Sequence, residues 1–259
     1  MVEEITELKS PIDALYLIHK ALRTEAHRAQ SLVEQLDTGG SLQPFKLVFN
    51  AWATALVYHA ELEDTYIMAP LISLPSSEDG GPEGTEGRAG SEAPQTAKPS
   101  RMTASMKATM IAQEEEMHRE LVETVQDVLT VLNEEIGKTS IITRTKQHLH
   151  RQVVALRIAQ EDHLETEEAL VLPLLRETMS EQQQLEAIQA LLIDKEAQDP
   201  RWIIEWVTRG LAQGEQQLLT DLESRFAELP DSLGLVCLAG GRRVRVSALK
   251  CTTETIRHV

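Results

Sequence analysis

Residues 59–70 read HAELEDTYIMAP, and residues 163–173 read HLETEEALVLP. Each stretch begins with a histidine, has a glutamate four residues later with a second acid directly after it, and reaches a proline ten or eleven residues after the histidine. Residues four apart lie one turn apart on the same face of a helix, so His59 with Glu63, and His163 with Glu167, can each bind a metal ion. For one such stretch alone a solvated His–Glu pair is the better explanation, but two copies on separate helices favour a metal site.

The sequence around both stretches predicts an all-α chain. Aromatic residues make up only 3% of the sequence, which favours helix over sheet. Apolar residues at three- and four-residue spacing predict a first helix over Pro11–Leu36. Three more helices are predicted over Leu42–Ala69, stopping at Pro70, over Thr103–Ile136, and over Ile141–Met179.

A single histidine lies on the helix before each stretch, His19 before the first and His118 before the second. In antiparallel neighbours, residues equally far from the connecting turn lie at one height. The midpoint of His19 and His59 is Gly39, and the midpoint of His118 and His163 falls at the end of a turn over 137–140. The sequence thus predicts an up-down-up-down bundle with one layer of four imidazoles and two carboxylates: His19, His59, Glu63, His118, His163 and Glu167.

This mixture of ligands suits iron, manganese or zinc better than calcium or magnesium. Six protein ligands are too many for one tetrahedral zinc ion and suit two octahedral ions bridged by carboxylates. The Glu-x-x-His pair of ferritin-like bundles occurs once, at Glu115–His118, but Gln160 stands three residues before His163. The ferritin-like ligand scheme therefore does not fit.

The succession of lone His, H-x-x-x-E, lone His and H-x-x-x-E-E-x-x-V-L-P resembles the hemerythrin-like, HHE cation-binding four-helix bundles over about residues 11–179. The resemblance implies a non-haem di-iron centre held by the same six residues, with Glu63 and Glu167 as bridges and with manganese or zinc less favoured. It also implies a small ligand such as dioxygen, peroxide or nitric oxide, used in sensing, detoxification or iron handling. Any enzymatic activity would be at most peroxidase-like or oxidase-like.

The sequence departs from the oxygen-carrying members of that family at two points. Their third helix carries two histidines four apart, whereas Glu114 stands four residues before His118. Their fourth helix pairs its histidine with an aspartate five residues on, whereas Glu167 and Glu168 follow His163 by four and five. More carboxylate favours higher oxidation states of iron, so we expect oxidation rather than reversible oxygen carriage. Glu114 is either a seventh ligand or, as we expect from its acidic neighbours, a solvated charge.

The other histidines are predicted to lie at the surface, and the aromatic residues near the two stretches are predicted to lie in the core. His148 and His150 precede His163 by 15 and 13 residues, roughly 20 Å along a helix, so they cannot reach the same ion. His27 and His258 are predicted to be surface residues as well. Trp52 and Tyr66 stand seven residues on either side of His59 and are predicted to lie in the core, with hydrogen bonding to the metal ligands as the lesser alternative.

The chain is predicted to divide into a bundle over 1–179, a C-terminal helical extension over 180–230 and a tail over 231–259. A Pro- and Gly-rich linker at 75–100 interrupts the bundle, and the tail is either a hairpin around Gly240-Gly241 or disordered. In the extension, an apolar stripe is predicted to pack against the bundle: Trp202, Ile203, Trp206 and Val207. A protein partner or a homodimer through these helices, a sensor that signals through them, and a metal-free interaction module remain alternatives.

Composition excludes several other classes of function. The 25 basic and 41 acidic residues give a net charge of −16, which counts against nucleic acid as a partner. No stretch approaches the roughly 18 apolar residues of a membrane span. The acidic N-terminus is unlike a signal peptide, and two cysteines, Cys237 and Cys251, cannot crosslink a chain of 259 residues, so we expect a cytoplasmic protein.

Overall fold

The computed structural model describes residues 4–36, 40–73, 104–135 and 143–229, and this part of the chain is helical without a β-strand. The all-α prediction is therefore confirmed for the described residues. They form seven helices, of which three include a π-helical turn. The linker at 75–100, the turn at 137–140, His258 and the tail with its two cysteines lie outside the described residues.

The helices follow the predicted order closely. Helix α1 is Ala14–Gln35, after a 3-10 turn at Pro11–Asp13; α2 is Leu42–Glu63, continued by a π-helical turn at Asp64–Met68 and by Ala69–Ser73; α3 is Ala104–Thr130, continued by a π-helical turn at Val131–Glu135. Helix α4 is Thr143–Thr166, continued by a π-helical turn at Glu167–Val171 and by Leu172–Thr178; α5 is Glu181–Leu192, α6 is Trp202–Thr208 and α7 is Gln213–Arg225.

Helices α1 to α4 pack around a common apolar core. Helix α1 contacts α2 and α4, and α3 contacts the same two helices. The apolar positions that predict α1 are all buried: Leu15, Ile18, Leu22, Ala26 and Ala29. Their burial removes one face of α1 from water, and full burial of a leucine or isoleucine contributes about 1.5–3 kcal/mol. This packing fixes the rotation of each helix and thereby directs its histidine inward.

Helix α2 does not stop at Pro70, so that prediction is wrong. Proline lacks an N–H donor, and its ring conflicts with the carbonyl four residues earlier in a regular α-helix. The π-helical turn Asp64–Met68 stands just before Pro70 and changes which carbonyl lies beneath the ring. The same succession occurs in α4, where the turn Glu167–Val171 precedes Pro173.

The C-terminal helices pack against the N-terminal part of the chain. Ser180 begins α5 by accepting a hydrogen bond from the backbone N–H of Gln183. Helix α5 contacts the 3-10 turn Pro11–Asp13 and also α2, whereas α6 and α7 contact α1. Ile203, Trp206 and Val207 are buried, so these members of the stripe pack as predicted. Within the described ranges, no helix is both long and apolar enough to cross a membrane.

Candidate metal centre

Each of the helices α1 to α4 contributes one buried histidine to the same region: His19, His59, His118 and His163, in that order. The rings of His19 and His59 meet edge to face with their centroids 5.3 Å apart. Those of His118 and His163 meet in the same way at 4.7 Å. His19 therefore contacts His59, and His118 contacts His163, as their equal distances from the connecting turns predict.

Glu63 is fully buried between these two histidine pairs. Its Oε1 lies 3.1 Å from Nε2 of His59. Its Oε2 lies 3.4 Å from Nε2 of His118 and 3.8 Å from Nε2 of His163. Glu63 thus directs one oxygen to each pair, which is the geometry of a bridging carboxylate.

Two groups of side chains bring ligand atoms within 4.8 Å of one another and could each hold a metal ion. The first group is His19, His59, Glu63 and Glu167, and the second group is Glu63, His118 and His163. Together they contain all six residues predicted from the sequence and share Glu63. Glu167 has its Oε2 3.1 Å from Nε2 of His19 and belongs to the first group. The geometry of a bridge is therefore present at Glu63, whereas Glu167 faces one histidine pair.

The atoms that face this centre have no hydrogen-bond partner within the described part of the chain. They are Nε2 of His19, His59, His118 and His163 and both carboxylate oxygens of Glu63 and Glu167. An uncompensated buried charge costs several kcal/mol, more than the burial of one leucine contributes. A bound cation would compensate all of these atoms together. The donor set therefore fits a metal ion.

The second acid of each sequence stretch contacts an imidazole at its outer nitrogen. Oδ1 of Asp64 on α2 lies 2.7 Å from Nδ1 of His118 on α3. Oε1 of Glu168 on α4 lies 2.8 Å from Nδ1 of His19 on α1. Such contacts fix the proton on Nδ1 and leave Nε2 available to a metal. Sequence reasoning gave Asp64 and Glu168 no role, although the repeated acid after each glutamate was a usable signal.

Glu114 is fully buried, so the expectation of a solvated charge is wrong. It stands one turn before His118 on the face that α3 presents to its neighbours. Its Oε2 lies 3.2 Å from Nδ1 of His163. Neither of its oxygens makes a hydrogen bond to another described residue. The next two residues, Glu115 and Glu116, are exposed as expected.

Carboxylates outweigh burial and raise the pKa of three of the imidazoles: that of His163 through Glu114 and Glu63, and also those of His19 and His118. Burial lowers the pKa of His19, but Glu167 and Glu168 outweigh burial and raise it to about 9. Burial likewise lowers the pKa of His118, but the hydrogen-bonded Asp64 and the nearby Glu63 raise it to about 10. Without a metal, both imidazoles therefore take up a proton that balances the buried carboxylates.

Burial dominates at His59 and Glu167, whereas the imidazoles around Glu63 hold the pKa of that carboxyl well below its usual value. Burial lowers the pKa of His59 to about 3, since Glu63 does not offset burial together with the neighbouring imidazoles. Burial and the like charge of Glu63 raise the pKa of Glu167 to about 7. In the metal-free protein, protons thus balance some of the buried negative charge that a metal cation would otherwise balance. Because a metal must displace them, metal affinity should fall as the pH falls.

Trp52 and Tyr66, the two aromatic residues flanking His59, differ in burial. Trp52 is fully buried, as predicted, and its Nε1 donates to Oε1 of Gln160 at 2.6 Å. Indole can only donate, so this bond fixes the amide orientation; Nε2 of Gln160 then has no partner among the described residues. Tyr66 is 36% exposed, so its predicted place in the core is wrong.

The remaining described histidines lie outside both groups, as predicted. His27 is exposed, and His148 and His150 are partly exposed. Nε2 of His150 lies 3.6 Å from Oε1 of Glu34. Comparisons of the chain with protein families, with curated proteins and with solved structures gave no match.

Proposed function

We propose that this chain is a non-haem di-iron protein similar to the hemerythrin-like, HHE cation-binding domains. In this proposal α1 to α4 form an up-down-up-down four-helix bundle around the metal centre. The observation that carries the proposal is the shared carboxylate of Glu63, with one oxygen toward His59 and the other toward His118 and His163. A carboxylate in this position can hold two ions side by side.

The donor set supports two ions of intermediate hardness. Imidazole together with carboxylate suits iron, manganese or zinc, whereas calcium and magnesium prefer oxygen ligands. Six donors leave open positions on two octahedral ions. Iron follows from the resemblance, and manganese and zinc are less favoured. In a metal-free interaction module, protons alone would have to balance the buried carboxylates, and the atoms that face the centre would make no hydrogen bond to a described residue, which counts against it.

Burial of the centre supports a small exogenous ligand such as dioxygen, peroxide or nitric oxide. No surface is exposed on four of its side chains: His19, Glu63, His163 and Glu167. A bulky substrate could reach them only if the helices separated. Iron would supply the electron-transfer and oxygen chemistry that side chains lack. The protein's own contribution is to bind through Nε2 and carboxylate oxygens, to exclude bulk water and to hold the Nδ1 protons at Asp64 and Glu168.

We further propose that the ferrous protein oxidises in air rather than releasing oxygen. Glu114 takes the position that a histidine has in oxygen-carrying hemerythrin-like proteins and brings a third buried carboxylate close to the imidazoles. Negative charge stabilises the higher oxidation state of a nearby metal. Oxygen would then be consumed in sensing, detoxification or iron handling.

Metal analysis of protein produced with ample iron and purified without oxygen tests this function. We expect about two iron ions per chain, because the six residues form two groups that share Glu63. Admission of air should produce visible absorbance that azide shifts and that vacuum does not reverse. Metal content near zero would overturn the proposal. An oxygen adduct that reverses under vacuum would instead support an oxygen carrier.

One contact favours a second candidate function, signalling of the metal state to a partner. Lys20 follows His19 on α1, and its Nζ lies 2.5 Å from Oε1 of Glu215 on α7. A shift of α1 on metal binding would therefore reach the C-terminal helices. Amide hydrogen exchange in α7, compared between metal-loaded and metal-free protein, tests this candidate. Equal exchange in the two forms would eliminate it.

A further inference from the structure

The two halves of the centre repeat each other except at one buried position. His19 corresponds to His118 as the lone histidine of its half, and His59 corresponds to His163. Four residues before the lone histidine, the first half has Leu15 and the second half has Glu114. Both of these side chains are fully buried. The repeat is therefore broken by a carboxylate in place of an apolar side chain.

This difference changes the surroundings of the imidazoles of His59 and His163. Nδ1 of His163 has Oε2 of Glu114 at 3.2 Å. Neither this atom nor Nδ1 of His59, in the half that carries Leu15, makes a hydrogen bond to a described residue, but of the two only Nδ1 of His163 lies within ion-pair distance of a described carboxylate. His163 therefore has a carboxylate at its outer nitrogen, and His59 does not.

The position of Glu114 makes it a neighbour of the second group rather than a member. Its oxygen approaches Nδ1 of His163, whereas the other nitrogen of that ring, Nε2, faces Glu63. The second group contains one carboxylate, Glu63, whereas the first group contains Glu63 and Glu167. Glu114 supplies negative charge beside the group that has fewer carboxylates.

We propose that Glu114 is a positioning residue that orients His163 and makes the two metal positions unequal. This inference rests on the proposed di-metal function. With its charge 3.2 Å from Nδ1, Glu114 would favour a proton on that nitrogen, keep Nε2 of His163 directed at the second position and make it a stronger donor. The first position has no equivalent support at His59, so the two ions should differ in affinity and in electronic environment.

The test is anaerobic titration of the metal-free full-length protein with iron(II), followed by Mössbauer spectroscopy of the ⁵⁷Fe-loaded protein. Wild-type protein should bind two ions and give two quadrupole doublets of equal area. Glu114→Gln keeps the size of the side chain and removes its charge. This substitution should weaken the binding of one ion by roughly 10–100-fold, the usual effect of losing such a partner. The affinity and the doublet of the other ion should not change.

Two further variants separate positioning from a structural role. Glu116→Gln removes an exposed charge two residues away and should leave the affinity for both ions unchanged. Glu114→Asp keeps the charge and should restore part of the lost affinity. The metal-free Glu114→Gln protein should keep the circular dichroism spectrum of wild type, because glutamine keeps the size of the side chain.

The outcomes distinguish this inference from the function on which it rests. Wild-type protein that binds no iron overturns the di-metal function and this inference with it. If wild type binds two ions but Glu114→Gln binds both with unchanged affinity, or loses both equally, only this inference fails. A single doublet from the wild-type protein also overturns it, and that measurement needs no variant to fold.

Discussion

Asp64 and His118 lie on different helices, with Oδ1 of Asp64 2.7 Å from Nδ1 of His118. Glu168 and His19 repeat this relationship at 2.8 Å. In each case the acid directly follows a glutamate of the centre, so one short segment provides both a candidate ligand and the support for an imidazole of another helix. The π-helical turns at Asp64–Met68 and Glu167–Val171 begin at this point, and such turns are frequent at functional sites.

Replacing Asp64 by asparagine should weaken metal binding by roughly 10–100-fold, because His118 loses the carboxylate that fixes its tautomer. Competition with a chelator of known affinity measures the effect. Glu165→Gln, at an exposed position between His163 and Glu167, is the matched control and should behave as wild type. Equal affinity of the Asp64→Asn and wild-type proteins would show that the contact does not support the metal.

Replacing His59 or His163 by alanine should remove metal, because each imidazole directs Nε2 at the centre. His148→Ala and His150→Ala are matched controls in the same helix as His163, and both should retain the wild-type metal content. Elemental analysis of the four variants, purified in parallel, measures the difference. If His148→Ala lost its metal, the placement of the centre along α4 would be wrong.

The layer of buried histidines and glutamates could be predicted because its pattern depends on helix geometry alone. The four-residue spacing of His59 and Glu63 places them on one face, and equal distances from a turn bring His19 level with His59. These relations survive small errors in helix boundaries. The burial of Glu114 could not be predicted in this way, since adjacent acids usually mark a solvated face. Only the packing of α3 against its neighbours decides which acid of the run 114–116 points inward.

Tyr66 and Pro70 were predicted wrongly for one physical reason. Both predictions assume a regular α-helical period after His59. The π-helical turn Asp64–Met68 lies between His59 and Pro70 and includes Tyr66. A π-helical turn adds about one residue to a helical turn, which rotates later side chains by about 100°. Tyr66 is therefore rotated toward the surface, and α2 continues past Pro70.

Replacing Trp52 by phenylalanine should lower the free energy of unfolding by about 1–3 kcal/mol, because the buried Oε1 of Gln160 loses its donor. Urea denaturation of the metal-free protein measures this change. Gln160→Leu removes the amide, and the double variant should recover part of the loss, since neither polar partner then remains. Additive effects of the two substitutions would show that the hydrogen bond contributes nothing.

The last prediction concerns Glu215, which joins α7 to the N-terminal segment. Glu215 is fully buried, and its carboxylate accepts hydrogen bonds from the backbone N–H groups of Ile5 and Ala212, both at 2.9 Å. Burial raises the pKa of Glu215, but Lys20 and these two N–H groups outweigh burial and lower it below its usual value.

A carboxyl whose pKa is lower in the folded protein than in the unfolded chain stabilises the fold when it is ionised. This stabilisation is complete above the unfolded value, about 4.3, and is lost as the pH falls through the folded value. Glu215→Gln should therefore reduce the free energy of unfolding by about 2 kcal/mol at pH 7, and the difference from wild type should shrink steadily below about pH 4.

Denaturation of the metal-free proteins over this pH range measures the difference, since the groups of the candidate metal centre titrate in both proteins and cancel in the comparison. Glu123→Gln is the control, because the exposed ion pair of Glu123 with Arg119 should contribute less than about 1 kcal/mol. A difference between Glu215→Gln and wild type that grew toward acid pH would contradict the assigned direction of the pKa shift.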